Sequence, residues 1–331
     1  MRVVISGYRY YSADLGRWLN RDPLGENSGA NLFGFIQNDS INLIDLYGLA
    51  LYAFDGTWND RSDSLKFTNV AIMVDLYSGT KKYLPGVGRL LPGQEKKWFF
   101  NNWLYKKILA GTGGGFGEGG KQRLEVMYKE LTKIYNTPDS NGENKKIDII
   151  GFSRGAALAR AFANKLDKEG VPTNADGTGG KCPVEIRFLG LFDTVGSFGI
   201  PGNNVNIGFD FSIPDNVKFV AHAISRDEQR DFFPLSSVMP GPNTTSLKKS
   251  NGQVRYEVAF PGAHSDVGGG YPDGDLSDGP LNWMIQQGRA AGAPFKNKTF
   301  MITNGAPHEE RSAMERWWDK QFNIPRSVYY E

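Results

Sequence analysis

Hydrophobic and polar positions divide the chain into two parts of different texture, with the change near residue 50. Residues 1–49 combine many aromatic, Gly, Asn and Asp residues with short alternating apolar stretches. Alternation with a period of two, interrupted by turn-forming residues, predicts short β-strands joined by tight turns. From residue 50 onward, short apolar runs alternate with segments whose apolar residues recur at helical spacing. We therefore expect a short β-rich segment at 1–49 and a larger α/β domain at 50–331.

Strand and helix patterns alternate along the larger part. The predicted strands are LALYAFDGT, KIDIIGF, VEIRFLGLFDT, VRYEVAFPGAH and the short run KTFMI, and the predicted helices are 122–135, 154–167 and 276–292. This order predicts an α/β-hydrolase-like fold: a mainly parallel sheet with helices on both faces, and ligands at the carboxyl ends of the strands. The glycine-rich segment 111–120 is expected to form a flexible lid or a turn.

Composition and charge exclude several classes of protein. No apolar run of the 331 residues approaches the roughly 20 residues that cross a bilayer. The first residues lack the apolar core of a signal peptide, so we expect synthesis in the cytoplasm and export by another route. A net charge of +2 gives no broad basic face, so no nucleic acid is expected as a partner. The single cysteine, Cys182, excludes an intrachain disulfide and a cysteine zinc site.

A Gly-x-Ser-x-Gly motif centred on Ser153 lies between a predicted strand and a predicted helix. This context is the one that a nucleophile elbow requires, in which a sharp turn presents the serine hydroxyl. Side chains at Gly151 and Gly155 would collide with the neighbouring strand or helix, which explains both glycines. The motif therefore predicts a nucleophilic serine, with a purely structural glycine turn as the alternative.

A serine nucleophile needs a base, and the chain contains only three histidines. His264 follows a predicted strand and a Pro-Gly turn, which places it at a carboxyl end of the sheet. His308 follows the candidate strand KTFMI and is a rival for the same role. His222 lies within an apolar run and is expected to be a buried histidine with satisfied hydrogen bonds.

The third member of such a triad is a carboxylate that orients the imidazole. Asp193 ends the strand that is expected directly after the nucleophile strand. Asp266 is the competitor, because it is too close in sequence to His264 to serve that ring but could serve His308. Two sets stay open: Ser153, Asp193 and His264, or Ser153, Asp266 and His308.

Acyl transfer also needs hydrogen-bond donors for the developing oxyanion. In an elbow one donor is the backbone N–H of the residue after the nucleophile, here Arg154. A second donor is expected from the loop after the first strand, where Gly56 and Thr57 are the candidates. An ordinary strand-end turn is the alternative for that loop. This chemistry requires no metal and no cofactor.

Residues 1–49 resemble the end of an Rhs repeat-associated core. The resemblance depends on residues that occur in the family's order: Arg17, Trp18, Arg21, Asp22, Pro23, Asn31, Leu32, Asp45, Gly48 and Leu49. In that family a β-repeat shell encloses a variable toxin, and an Asp-Pro-x-Gly-Leu ending marks self-cleavage. Here Leu46 replaces the proline. The resemblance implies an upstream Rhs shell as a partner and a toxin domain from residue 50.

Residues 51 to about 290 resemble the phospholipase effectors of type VI secretion. The motifs that carry this resemblance are FDGTWND, YLPGVGRL, GTGGGFGEGG, IDIIGFSRGAALARAFA, GLFDTVGS, AHAISRDEQRDFFPL and FPGAHSDVGGGYPD. The resemblance implies an antibacterial toxin that hydrolyses membrane glycerophospholipids, and its matching positions favour Ser153, Asp193 and His264. It also implies a secretion spike or adaptor and a cognate immunity protein as partners, with delivery into target cells.

Two other functions remain consistent with these residues. A fold and a triad define acyl chemistry without defining the acyl donor, so an esterase of other specificity is the first alternative. The second is a binding module that keeps the hydrolase fold without catalysis.

Overall fold

Two sheets account for most strands of the protein. The computed structural model describes residues 3–6, 9–12, 17–19, 49–62, 67–91, 114–136, 146–198, 208–230, 233–271, 274, 276–302, 305–309 and 326–331. The strands are β1 (Val3–Ser6), β2 (Arg9–Ser12), β3 (Arg17–Trp18), β4 (Leu49–Phe54), β5 (Thr80–Leu84), β6 (Lys146–Phe152), β7 (Val171–Pro172), β8 (Lys181–Cys182), β9 (Ile186–Phe192), β10 (Val217–Ser225), β11 (Leu235–Ser236), β12 (Ser246–Lys248), β13 (Val254–Phe260) and β14 (Val328–Tyr329). The helices are α1 (Asn69–Leu76), α2 (Gly114–Tyr135), α3 (Arg154–Glu169), α4 (His264–Gly268) and α5 (Asp278–Ala290).

β1, β2 and β3 form an antiparallel three-stranded sheet. The β-strand texture of the first residues is therefore present at this sheet. The motif positions between Arg21 and Gly48 lie outside the described residues, as does the Leu46 substitution. The assignment of 1–49 to an Rhs core stays a prediction.

The central sheet has seven strands in the order β12-β13-β10-β9-β6-β4-β5. Every neighbouring pair is parallel except β12 with β13. Parallel neighbours place their carboxyl ends at one edge, so the residues after β4, β6, β9, β10 and β13 meet there. The segments that directly follow these strands contain all the residues that the sequence predicts for catalysis except His308.

Helices cover both faces of this sheet, as predicted. Successive side chains of a strand point to opposite faces, so Tyr52 and Phe54 of β4 pack on one face and Leu51 and Ala53 on the other. Residues of α2 and α3 complete the first apolar layer, and residues of α1 and α5 complete the second. The predicted fold class, a mainly parallel α/β sheet with helices on both faces, is confirmed.

The expectation of a lid or turn in the glycine-rich segment is wrong for its described part. α2 begins at Gly114, so residues 114–120 form the first turns of a long helix. Glycine disfavours helices, but here it permits close packing. A Cβ on Gly120 would lie 3.0 Å from the Phe209 ring and 3.1 Å from the Phe198 ring. Residues 111–113 lie outside the described part of the chain.

The run KTFMI, residues 298–302, does not form a strand. The side chain of Asn282 accepts a hydrogen bond from the Phe300 N–H and donates one to the Phe300 carbonyl, both at 2.8 Å. These backbone groups are thereby satisfied without a neighbouring strand. Met301 is 81% exposed, so the apolar side chains of this segment are not all buried.

Candidate active site

Ser153 lies in the single-residue turn between β6 and α3. Its φ of 58° is in the left-handed region that side chains other than glycine rarely adopt. The strand beside β6 holds this conformation: the Ser153 N–H donates to the Phe192 carbonyl at 2.9 Å, and the Ser153 carbonyl accepts from the Val195 N–H at 3.2 Å. The backbone at the end of β9, next to Asp193, therefore holds the strained turn in place.

The glycines on either side of Ser153 make close contacts that leave no room for a side chain. A Cβ on Gly151 would lie 2.4 Å from the carbonyl oxygen of Gly155. A Cβ on Gly155 would lie 2.3 Å from the carbonyl oxygen of Asp55 and 2.4 Å from that of Phe54. The steric reason that the sequence suggested for these glycines is thus present in the structure.

Asp193 and His264 form a buried pair at the carboxyl edge of the sheet. Asp193 follows β9 and His264 is the first residue of α4, and Asp193 Oδ2 lies 2.6 Å from His264 Nδ1. Burial raises the pKa of Asp193, but the guanidinium of Arg326 and the hydrogen bond from His264 outweigh burial and hold that pKa well below its usual value. An ionised carboxylate only accepts hydrogen bonds, so His264 carries its proton on Nδ1. Nε2 is then the proton acceptor.

Contacts around the His264 ring place it beside the elbow. The ring of Phe152, the residue before Ser153, lies 4.7 Å from the imidazole centroid to centroid, and Phe233 lies 5.0 Å away in an edge-on arrangement. The His264 N–H donates to Glu228 Oε2 at 3.1 Å. Nε2 of His264 is buried and has no hydrogen-bond partner among the described residues. The ring is therefore oriented on three sides, with its accepting nitrogen available.

The rival residues also form a pair. His308 Nδ1 lies 2.6 Å from Asp266 Oδ1, and the His308 N–H donates to Asp266 Oδ2 at 3.0 Å. The His308 ring stacks on Tyr271 at 3.9 Å and is 31% exposed. Both carboxylate-histidine pairs that the sequence left open are thus present, and the ring contact with the residue next to Ser153 belongs to His264.

A cavity of about 280 Å³ adjoins the rival pair. Its lining residues are Asp227, Glu228, Gln229, Ala263, Pro307, His308 and Glu309. Ala263 and Glu228 are direct neighbours of His264, since one precedes it in the chain and the other accepts its N–H. His308 therefore borders the same region as the His264 turn.

The loop after β4 contacts the elbow. Thr57 Oγ1 accepts a hydrogen bond from Arg154 Nη1 at 3.1 Å, and Arg154 Nε donates to the Ser197 carbonyl at 2.7 Å. Burial lowers the pKa of Arg154 to about 10. Of the two predicted loop donors, the Gly56 N–H is already donated to Asp55 Oδ1 at 2.7 Å. The Thr57 N–H has no acceptor among the described residues, so Thr57 is the better oxyanion candidate.

His222 is buried with both ring nitrogens bonded, as the sequence suggested. Nδ1 lies 2.8 Å from Glu257 Oε2, and Nε2 accepts the Thr194 N–H at 3.1 Å. A backbone N–H can only donate, so the His222 tautomer is Nδ1–H. His222 thereby supports the residue that follows Asp193.

Two residues of the site were missed by sequence reasoning. Asp55 is buried at the end of β4, where it accepts hydrogen bonds from Gly56, Thr68 and Tyr83, and burial raises its pKa to about 6. Its place in the FDGT motif was a usable signal. Arg326 reaches Asp193 from a distant part of the chain. Nothing in the sequence around Arg326 indicates this contact.

Two absences concern the described residues alone. No cluster of three or more His, Cys, Asp or Glu side chains there could hold a metal ion. No helix there combines the length and apolarity that crossing a bilayer demands.

A parallel sheet, a strained serine between a strand and a helix, and a carboxylate-bound histidine at the same edge define a domain of the α/β-hydrolase class. The chain belongs to the family of Tle1-like phospholipase effectors of type VI secretion. The family model "T6SS, Phospholipase effector Tle1-like, catalytic domain" matches residues 51–178 and 173–287, which is more than half of the chain. The matched part of the family is its catalytic domain.

Solved structures and curated relatives show more limited similarity. A crystal structure of an uncharacterized protein from Pseudomonas aeruginosa is 25% identical, with a TM-score of 0.47, over 82% of this chain and 50% of that one. A structure of the Tle1 effector bound to the VgrG spike is 25% identical, with a TM-score of 0.45, over 67% of this chain and 51% of that one. The toxin subunit YenC1 of Yersinia entomophaga is 50% identical over 44 residues, which are 13% of this chain and 4% of the relative. The chain therefore spans about half the length of the two solved structures and a small part of this toxin subunit.

Proposed function

We propose that the chain is a serine phospholipase of the A type, with Ser153 as nucleophile, His264 as base and Asp193 as the orienting carboxylate. One observation carries this proposal: the His264 ring is held by Asp193 at Nδ1 and by Phe152 at its face, beside the strained Ser153 turn. The unpartnered Nε2 is the atom that would accept the serine proton. Asp266 and His308 remain the alternative pair of orienting carboxylate and base.

The reaction follows from this arrangement in two acyl-transfer steps. Nε2 of His264 takes the Ser153 hydroxyl proton while Oγ attacks the ester carbonyl of a glycerophospholipid. The Arg154 and Thr57 N–H groups donate to the oxyanion, and Asp193 stabilises the imidazolium without accepting the proton. The proton then passes to the lysophospholipid alkoxide, which leaves. Water, deprotonated by the same ring, releases the fatty acid from Ser153.

Family membership of residues from 51 onward, together with the resemblance of residues 1–49 to an Rhs core, motivates a wider proposal about the biology of the chain. We propose that residues 50–331 form an antibacterial toxin domain and that residues 1–49 are the end of an Rhs core. The proposal includes delivery into target cells on a secretion spike or adaptor and a cognate immunity protein. The complex to look for is of the kind described above for the Tle1 effector, which is bound to the VgrG spike.

A Ser153→Ala variant tests the chemistry. Because nothing else in the mechanism supplies the nucleophile, we expect fatty-acid release from phosphatidylethanolamine and phosphatidylglycerol vesicles to fall by roughly 10³-fold or more. Ser250→Ala is the matched control, since Ser250 is exposed in the turn before β13, at the opposite edge of the sheet. Retained lipid hydrolysis in Ser153→Ala would contradict the assignment.

Two further variants distinguish the two candidate bases. If His264 is the base, His264→Gln abolishes lipid hydrolysis and labelling of Ser153 by a fluorophosphonate, whereas His308→Gln keeps both. The opposite result would assign the reaction to Asp266 and His308. Hydrolysis of short soluble esters without hydrolysis of vesicles would instead indicate an esterase of other specificity.

A further inference from the structure

The carboxylate of Asp193 has a second charged partner besides His264. Arg326 Nη1 lies 3.0 Å from Oδ1, and Arg326 Nη2 lies 2.7 Å from Oδ2, which is the oxygen that His264 also contacts. The Ser225 N–H donates to Oδ1 at 2.9 Å. The Arg326 side chain is 7% exposed. This cation is therefore buried directly on the predicted orienting carboxylate.

Arg326 is held in place by a segment that contacts Asp193 at the carboxyl edge and Arg255 at the start of β13. This 326–331 strap pairs with the central domain through β14 and β11, and Arg326 Nε donates to the Phe233 carbonyl at 2.6 Å. At the other end of the strap, Glu331 Oε2 lies 2.7 Å from Nη1 of the buried Arg255. Phe233 also places its ring on His264. Arg326 thus contacts two of the groups that hold the histidine.

We propose that Arg326 is a positioning residue for the reaction of Ser153, His264 and Asp193, which holds the carboxylate in one plane and offsets part of its negative charge. This inference rests on the proposed function. An uncompensated carboxylate stabilises the imidazolium, so the ring is protonated at higher pH and the base is lost. A guanidinium that binds both carboxylate oxygens offsets part of that charge. It also restricts rotation of the carboxylate, which preserves the hydrogen bond to Nδ1.

The other charged groups near this pair are already paired. Those that face it from the packed elements are Asp227, Glu228, Arg230 and Asp266. Glu228 binds the Arg230 guanidinium at 2.7 Å and 2.9 Å, and that guanidinium lies 3.7 Å from the Phe233 ring centroid. Asp227 accepts the Gly262 N–H, and Asp266 accepts the Ala263 N–H and binds His308. Among these groups Arg326 is the one that contacts Asp193.

The test is the pH dependence of Ser153 labelling by a fluorophosphonate, measured on the full chain from pH 5 to 9. Arg326→Gln keeps hydrogen-bond donors but removes the positive charge, and Arg326→Met keeps an apolar chain of similar length. The test uses whichever of these two variants folds. We expect the acid limb of the profile to move upward by about one pH unit and labelling at neutral pH to slow by about tenfold. Arg326→Lys should restore the position of the limb because it restores the charge.

Glu331→Ala is the matched control, because it loosens the same strap at its far end and leaves Arg326 in place. A thermal melt of each variant verifies folding, and Glu331→Ala should melt earlier without moving the acid limb. An unchanged limb in the folded Arg326 variants would overturn the role of Arg326 and leave the serine hydrolase intact. An equal shift in Glu331→Ala would assign the effect to docking of the strap and also overturn it. A wild-type chain that resists labelling at every pH would remove the proposed function and this inference with it.

Discussion

Asp55 is a buried carboxylic acid directly beneath the candidate oxyanion loop. Its oxygens accept hydrogen bonds from the Gly56 N–H, the Thr68 hydroxyl and the Tyr83 hydroxyl at 2.7, 2.9 and 2.6 Å. Burial raises its pKa from 3.8 to about 6, although these donors act in the opposite direction. Asp55 therefore organises the start of the loop that carries Thr57, and it does so with a group that titrates near pH 6.

The raised pKa of Asp55 predicts a pH-dependent stability. The native state binds this proton more tightly than the unfolded state, so the contribution is fully present below about pH 4 and is lost as pH rises through about 6. The loss amounts to up to about 3 kcal/mol in the free energy of unfolding. We expect Asp55→Asn to remove this slope, as measured by urea unfolding at pH 4, 5, 6 and 7. Asp215→Asn, at an exposed position, is the control; parallel slopes for the wild type and Asp55→Asn would contradict the argument.

At the scale of elements, the position of α3 depends on the close approach of its first turn to β4. Gly155 lies where any Cβ would come within 2.4 Å of two β4-end carbonyl oxygens, and the next two residues, Ala156 and Ala157, are fully buried. Small side chains thus let the helix begin directly over the strand ends. That placement is what directs Ser153 and the Arg154 N–H toward the carboxyl edge.

Gly155→Ala should therefore separate α3 from β4. Overpacking of this kind costs about 1–3 kcal/mol in the free energy of unfolding, and we expect slower labelling of Ser153 because the elbow moves. Gly241→Ala is the control, since no atom lies within 4 Å of a Cβ there and its φ is not positive. Thermal melts and labelling rates measure both effects. A Gly155→Ala variant as stable and as reactive as Gly241→Ala would contradict this view of the elbow.

At the scale of the whole molecule, the two sheets are separate hydrogen-bonded units. Among the described residues, the three-stranded sheet of β1 to β3 shares no ladder with the seven-stranded sheet, and β4 pairs with β6 from its first residue, Leu49 with Lys146. The seven described strands of this sheet therefore all come from β4 onward. A unit with its own core and its own sheet is able to fold independently.

We accordingly expect removal of residues 1–47 to leave the catalytic domain folded. The truncated chain should keep a cooperative thermal transition within a few degrees of the full chain and the same rate of Ser153 labelling. Calorimetry and labelling measure these quantities. Loss of cooperative unfolding in the truncated chain would show that the first residues contribute to the core of the second domain, and would move the boundary proposed at residue 49.

The sequence alone determined the elements that contiguous residues form. The apolar run 146–152, the motif around Ser153 and the helical spacing after it predict strand, turn and helix, since each depends on neighbours in the chain. The predicted helix 276–292 differs from α5 by two residues at each end. The alternation of strand and helix also predicted a mainly parallel sheet with ligands at the carboxyl ends of its strands.

Only the tertiary structure decided which distant groups meet. Two carboxylate-histidine pairs were open from the sequence, and it is His264 whose ring contacts Phe152, the residue before Ser153. The glycine-rich start of α2 is helical because Phe198 and Phe209 pack against it, which no local propensity reveals. Arg326 reaches Asp193 across 133 positions of sequence. Such contacts depend on how the whole chain packs, and side-chain periodicity carries no information about partners that far apart.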